Sequence, residues 1–219
     1  MSTKVQISIP CLDMVPVEFA LSLAALVATN TIDRRRDKRP VDISIAHCQG
    51  SLVMDSRNTL VEKALSNGAS HVFFLDSDVV VPPNCLNILI GHHKHIVGAT
   101  YVKRYPPHEI LGNALPGGVP LGNLYPMATL PFGCILIRAE VFEKLPRPWF
   151  KYLQGDSPLN TQSEDTYFSN RAREAGHTIY LDRVLSQSIG HVGTKVFRPA
   201  DTQTLPLVTT TLQSTPALK

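Results

Sequence analysis

The chain has 219 residues, 43% of them hydrophobic, and sets 21 Lys and Arg against 18 Asp and Glu for a net charge of +3. That length and apolar content suit one globular domain with a proper core and exclude a disordered chain, while so small a charge excludes an electrostatic grip on nucleic acid. Cys11, Cys48, Cys85 and Cys134 stand singly with no C-x-x-C pair, which excludes a structural zinc site and a disulfide framework.

In chain order, "KVQISIP" (4–10) alternates as a first strand, and an Ala- and Leu-rich helix runs from about Val17 to Ala28. Its most apolar window, "FALSLAALVA" (19–28), is too short to span a bilayer, and Asp13 and Glu18 precede it where a signal peptide would carry positive charge. A cytoplasmic protein without a transmembrane segment is expected. "DRRRDKR" (33–39) reads as a solvated loop, with a contact for an acidic polymer or membrane surface as the alternative. "VDISIAHC" (41–48) is a second strand. "SLVMDSRNTLVEKALSNG" (51–68) is a helix with Ser51 placed to cap, an apolar stripe at Val53, Leu60, Val61, Ala64 and Leu65, and Gly68 to stop it.

"HVFFLD" (71–76) is an unbroken apolar run that suits a strand covered on both faces. "NCLNILIGHH" (84–93) is a short helix and "HIVGATYV" (95–102) a fourth strand, so the first hundred residues repeat strand then helix. That repeat implies an α/β sandwich on a mostly parallel sheet. Residues 103–131 are dense in Pro and Gly and read as an irregular segment folding over something, a lid. "PFGCILIRAEVFEKL" (131–145) reads as strand into helix, "SEDTYFSNRAREAG" (163–176) as a capped helix ended by Gly176, and "HTIYLD" (177–182) as a strand before "QSIGHVG" (187–193). Residues 194–219, rich in Thr with scattered Pro, read as a tail.

The chemistry gathers at "HVFFLDSDVVVPP" (71–83), where Asp76 and Asp78 stand at the end of an apolar strand. Ligands of open α/β sheets sit beyond the carboxyl ends of the strands, and residues i and i+2 of an extended chain face one side. Both carboxylates can therefore project into one crevice, where a hard divalent cation, Mg²⁺ or Mn²⁺, relieves their repulsion and keeps open positions for phosphate oxygens. The plainer alternative is that Asp78 and the prolines merely start a turn. Arg57 lies on the apolar stripe of its helix, where it can hold a phosphate, a ribose or Asp76 in a bidentate grip, or else snorkel past the first turn. Glu164 and Asp165 follow Ser163 where a helix N-terminus favours acidic residues. His191 sits between glycines with exposed ring nitrogens, open to a metal, a phosphate or a turn hydrogen bond. His92, His93 and His95 read as the polar end of a short helix.

The ordered series "DSRNTLVEKAL", "HVFFLDSDVVVPPNCL", "IVGATYVKR", "PFGCILIRAEVFEKL", "SEDTYFSNRAREAGHTIYLD" and "IGHVG" resembles GT-A-fold glycosyltransferases, in particular the family-2-like inverting group with its short bacterial and phage-type members. The resemblance covers about residues 4 to 193. It implies a GT-A type, Rossmann-like three-layer sandwich with a mostly parallel central sheet, in a single catalytic domain (1–193) with a nucleotide-sugar half to about 102 and an acceptor half beyond. It implies that Asp76 and Asp78, with Ser77 between them, hold the donor diphosphate through Mn²⁺ or Mg²⁺, Asp78 as the firmer ligand and Asp76 nearer the ribose or the metal's water shell, with His191 as third metal ligand. Arg57 resembles a donor-binding residue, and Pro10 to Asp13 occupy the place where the nucleotide base is met. Asp165 resembles the catalytic base, with Glu164 assisting or binding the acceptor. The implied partners are a nucleotide-sugar, UDP- or GDP-linked, and an acceptor left open between a saccharide, a lipid-linked molecule and a protein. The chain lacks the Q-x-x-R-W signature of processive synthases.

Two other readings stand beside this one. In a haloacid-dehalogenase-type phosphatase Asp76 would be the nucleophile and Asp78 the acid/base, although that motif belongs on a first strand and two strand–helix units precede it here. A non-catalytic nucleotide or sugar binder would keep the fold without turnover.

Overall fold

The computed structural model describes residues 3–36, 41–157 and 161–201. The first half reads β1 (Thr3–Cys11), α1 (Val17–Arg36), β2 (Val41–Gln49), α2 (Val53–Ser66), β3 (His71–Leu75), β4 (Val79–Val80), α3 (Cys85–Gly91) and β5 (Ile96–Gly98). The second half adds β6 (Asn113–Ala114), β7 (Leu124–Thr129), β8 (Cys134–Arg138), α4 (Ala139–Lys144), α5 (Glu164–Glu174), β9 (Ile179–Asp182), α6 (Arg183–Ser186), β10 (Gly190–Val192), β11 (Val196–Phe197) and a 3-10 turn at Pro199–Asp201.

Eight strands form one sheet in the order β2-β1-β3-β8-β5-β9-β7-β6. β1, β2, β3, β5 and β9 run in one direction, as the strand–helix repeat requires. β8 is the exception within that block, inserted antiparallel between β3 and β5. Its insertion needs a close backbone approach: a Cβ on Gly98 would lie 2.5 Å from the Cys134 carbonyl oxygen, so only glycine fits there.

The pleat divides the core into two layers. Phe73 and Leu75 face a cluster with Phe19, Leu26, Leu86 and Leu185, contributed by α1, α3 and α6. Val72 and Phe74 face the other cluster, with Leu60, Phe142 and Phe168 from α2, α4 and α5. Both faces of the sheet are thus covered, which explains why β3 is apolar without alternation.

Several expectations are revised. α1 continues past Ala28 to Arg36 because the Asn30 and Thr31 side chains bond back to the Leu26 and Val27 carbonyls at 2.8 and 2.9 Å instead of breaking the helix. The side chains of "DRRRDKR" (33–39) lie outside the described residues. Ser51 does not cap α2, whose N-cap is Leu52 without a side-chain bond, whereas Gly68 ends it at φ +66° as expected. Ser163 likewise makes no cap bond to α5. Residues 103–131 are more regular than their composition suggests: Tyr101–Leu111 closes as a hairpin, and β6 and β7 extend the sheet edge beside β9. Pro126 within β7 hid that strand, because a missing N–H argues against a sheet position. The segment after His191 begins with β11, paired to β10, and 202–219 lie outside the described residues. Among the described residues no helix is long and apolar enough to cross a membrane.

Candidate active site

The carboxyl ends of β1, β3 and β5 open toward one edge of the sheet, and the N-terminal turns of α2 and α5 point to the same edge. Arg57 shares a helix face with Leu60, Val61 and Ala64, all buried, so packing of α2 carries its side chain inward. Glu164 and Phe168 share a face of α5 in the same way, and Phe168 anchors that face by stacking on Phe150 with 5.1 Å between ring centroids. The two buried faces meet at Arg57.

Arg57 Nη2 donates to both carboxylate oxygens of Asp76, at 2.9 and 3.2 Å, and Nη1 donates to Glu164 Oε1 at 2.5 Å. Its side chain is only 4% exposed, and its guanidinium lies 5.4 Å from the centre of the Phe132 ring. Burial opposes the charge, but Asp76 and Glu164 outweigh it and hold the guanidinium above its ordinary value. Burial pushes the Glu164 carboxyl up, against the pull of Arg57. Of the alternatives for Arg57, the grip on Asp76 is the one adopted.

Asp78 belongs to a second cluster. The Val79 amide donates to the Asp76 carbonyl, closing a turn, so the two aspartates are not presented by extended chain as expected and take separate cationic partners. β4, which follows Asp78 directly, pairs with β10 so that Val79 faces His191, and the Val192 amide donates to the Asp78 carbonyl at 2.7 Å. That register brings His191 Nε2 to 3.5 Å from Asp78 Oδ2, while Arg104 Nη1 reaches the same oxygen at 2.9 Å. Burial opposes ionisation of Asp78, yet the His191 hydrogen bond and the Arg104 charge prevail and hold its carboxyl below the ordinary value.

The His191 pair permits a test of the implied metal. Nδ1 lies 2.8 Å from the Val102 carbonyl and must donate to it, which leaves Nε2 and the Asp78 carboxylate facing each other. Two acceptors so placed fit a hard divalent ion completed by phosphate oxygens and water. Among the described residues no group of three or more His, Cys, Asp or Glu could hold a metal, and both Asp76 oxygens are engaged by Arg57.

Asp165 projects from the same turn as Glu164. Its Oδ1 accepts the Ser163 hydroxyl and the Thr166 amide, the latter at 2.7 Å, and among the described residues its Oδ2 accepts none. Pro10 is buried inside β1 opposite Cys48, whereas Asp13 lies in an exposed loop and accepts the Met14 amide. Ser77 occupies the turn between the aspartates. His92 pairs with Asp182 at 2.7 Å at the end of α3, a structural contact.

Two residues of the site escaped the sequence reading. Tyr101, 4% exposed, forms its floor: the hydroxyl accepts the Gly133 amide and the ring meets His191 edge-on at 4.8 Å. Burial, and then the Asp76 charge, push the phenol well above its ordinary value and keep it neutral. Arg104 was the other, hidden in the Pro- and Gly-rich segment. Nothing local distinguishes either, since both arrive through the hairpin after β5.

No protein-family model matches the chain, and no curated protein matches it by sequence. Solved structures do match. The protein A197 from STIV superposes with a TM-score of 0.59 at 16% identity, over 91% of this chain and 92% of that one. The S. aureus TarS fragment 1–349 in complex with UDP-GlcNAc gives 0.47 at 16% identity, over 81% of this chain and 55% of that one, so this chain spans little more than half of that fragment. A Drosophila β-1,4-galactosyltransferase 7 variant, in complex with manganese, UDP-Gal and xylobiose, gives 0.49 at 15% identity over 87% and 71%. The likeness to A197, the one of these above one half, runs through nearly the whole of both chains and shows a shared fold, an α/β sandwich on a central sheet as the sequence resemblance implied.

Proposed function

We propose that this chain is a glycosyltransferase that moves a sugar from a nucleoside-diphosphate donor to an acceptor hydroxyl. The observation that carries the reading is the meeting, at the carboxyl edge of a GT-A-type sheet, of two charge clusters: Asp76–Arg57–Glu164, and Asp78 with His191 and Arg104. The first is centred on a buried guanidinium. The second opens to solvent through Arg104 and suits a cation and a phosphate.

Asp78 and His191 would hold Mn²⁺ or Mg²⁺, and such an ion, when bound, neutralises charge developing on the departing diphosphate. Arg57 fixes Asp76 beside the donor and Glu164 beside Asp165. Asp165 is the base: Oδ1 is oriented by the Ser163 hydroxyl and the Thr166 amide, and Oδ2 takes the acceptor hydroxyl proton. As that proton moves, the acceptor oxygen bonds to C1 of the sugar and the C1–O bond to the diphosphate breaks, which inverts C1 in one displacement. Asp13 and Ser77 line the donor side, and UDP- or GDP-sugars are the donors proposed. A cytoplasmic location is proposed from the four unpaired cysteines.

The phosphatase reading is disfavoured by position: its nucleophile belongs at the end of a first strand, and β1, α1, β2 and α2 all precede Asp76. The test is a thermal-shift panel of UDP, GDP, CDP and dTDP, with and without Mn²⁺. A nucleotide at about a hundred times its dissociation constant adds roughly 2.7 kcal/mol, or about 5–11 °C for a chain of this size. One nucleotide should stabilise the wild type with metal but not Asp78→Asn, and Asp165→Asn should keep that response while losing transfer. No response to any nucleotide would sink the proposal.

A further inference from the structure

Asp78 has a cationic partner within the chain. Arg104 comes from the hairpin Tyr101–Leu111 and places Nη1 2.9 Å from Asp78 Oδ2, the oxygen that His191 also faces. The same nitrogen lies 3.3 Å from the Val192 carbonyl. The stem occupies a notch left by a glycine, since a Cβ on Gly193 would meet Arg104 Cδ at 3.3 Å and Phe197 at 2.9 Å. The guanidinium is therefore seated by backbone, by a carboxylate and by the absence of a side chain.

Its other face is open. The Arg104 side chain is 46% exposed, and among the described residues Nη2 and Nε donate to no protein acceptor, so a planar pair of donors is left for a ligand. A guanidinium in this state suits bidentate recognition of a phosphate. The charge balance asks for it: among the described residues Asp76 and Glu164 pair with Arg57 and Asp78 with Arg104 and His191, so two guanidinium charges face three carboxylates before a diphosphate adds further negative charge.

We propose that Arg104 is a diphosphate-binding residue that occupies the cation position of Asp78 in the free protein and passes to the donor diphosphate when the metal arrives. The proposal rests on the nucleotide-sugar reading above and adds a residue and an exchange to it. Removing Arg104 then has opposite effects on two ligands: the metal gains access to Asp78, while the diphosphate loses a charged bidentate partner.

The experiment measures Mn²⁺ binding to the free protein by electron paramagnetic resonance, and binding of inorganic pyrophosphate, UDP, GDP and uridine by calorimetry with Mn²⁺ present. Wild type, Arg104→Gln and Arg104→Lys are compared. In Arg104→Gln, Mn²⁺ should bind the free protein more tightly, and the diphosphates should bind about ten- to a hundredfold more weakly. Uridine should be unaffected, and Arg104→Lys should recover part of the diphosphate affinity through its point charge. Unchanged diphosphate affinity in Arg104→Gln would overturn the proposal and leave the nucleotide-sugar reading standing. Equal weakening of uridine would overturn it as well, by tracing the effect to the base pocket. If the wild type bound no diphosphate at all, both readings would fall.

Discussion

Replacing Arg57 by Met removes a charge from the most buried polar contact of the site. The methionine keeps an apolar stem against Phe132 and Phe74, whose ring centres lie 5.4 and 6.0 Å from the guanidinium carbon, so little packing is lost. What remains are Asp76 and Glu164, with side chains 23% and 14% exposed and no counter-charge. Breaking a buried pair by removing one partner costs about 3–5 kcal/mol. For a chain of this size that lowers the melting temperature by roughly 6–20 °C. Urea denaturation and calorimetry across pH read it directly. Burial already raises the Glu164 carboxyl above its ordinary 4.5, and loss of Arg57 raises it further. A carboxyl raised in the folded state favours folding when protonated, so the deficit should be largest at neutral pH and shrink as pH falls through the acid range. Arg57→Met combined with Glu164→Gln should recover part of the loss. A deficit below about 1 kcal/mol that does not change with pH would show that water solvates these carboxylates and that the buried triad is not a unit.

Three further outcomes are expected. Asn58 donates to the Met54 and Phe150 carbonyls at 3.0 and 2.8 Å and accepts the Trp149 and Phe150 amides at 3.0 and 3.1 Å, so Asn58→Ala should cost about 1–3 kcal/mol per stranded group in urea denaturation. Gly98→Ala should destabilise the β5–β8 pairing by about 1–3 kcal/mol or more, seen as early amide exchange of both strands; normal stability would contradict the close approach to Cys134. Asp78, held below its ordinary 3.8, stabilises the fold above that value and ceases to do so as pH falls through its lowered folded value. Denaturation midpoints between about pH 5 and pH 2 should show this loss in wild type and not in Asp78→Asn.

The residues separate according to how far their partners lie along the chain. Arg57 was legible because the α2 stripe at Leu60, Val61 and Ala64 places it on a buried face by helical period alone. Asp76 was legible because an apolar strand ending in a charge must end at a surface or a ligand. The pairing of Asp78 with His191 was not a matter of pattern: a two-residue strand, β4, and a three-residue strand, β10, set it by register, and strands so short carry almost no periodic signal. β8 was read correctly as a strand but not as the antiparallel member, since direction in a sheet depends on which edge the chain returns from.

The sequence by itself determined the strand–helix alternation, the two-faced core and the clustering of acidic residues at strand and helix ends, because these follow from local period and from the cost of burying charge. Only the tertiary structure decided which charges meet. It gave both oxygens of Asp76 to Arg57 and brought Glu164 to the same guanidinium across 107 residues. It also carried Tyr101 and Arg104 to the site on a hairpin whose composition reads as loop. Contacts of that span are selected by packing of whole elements against one another, and no window of sequence contains both partners.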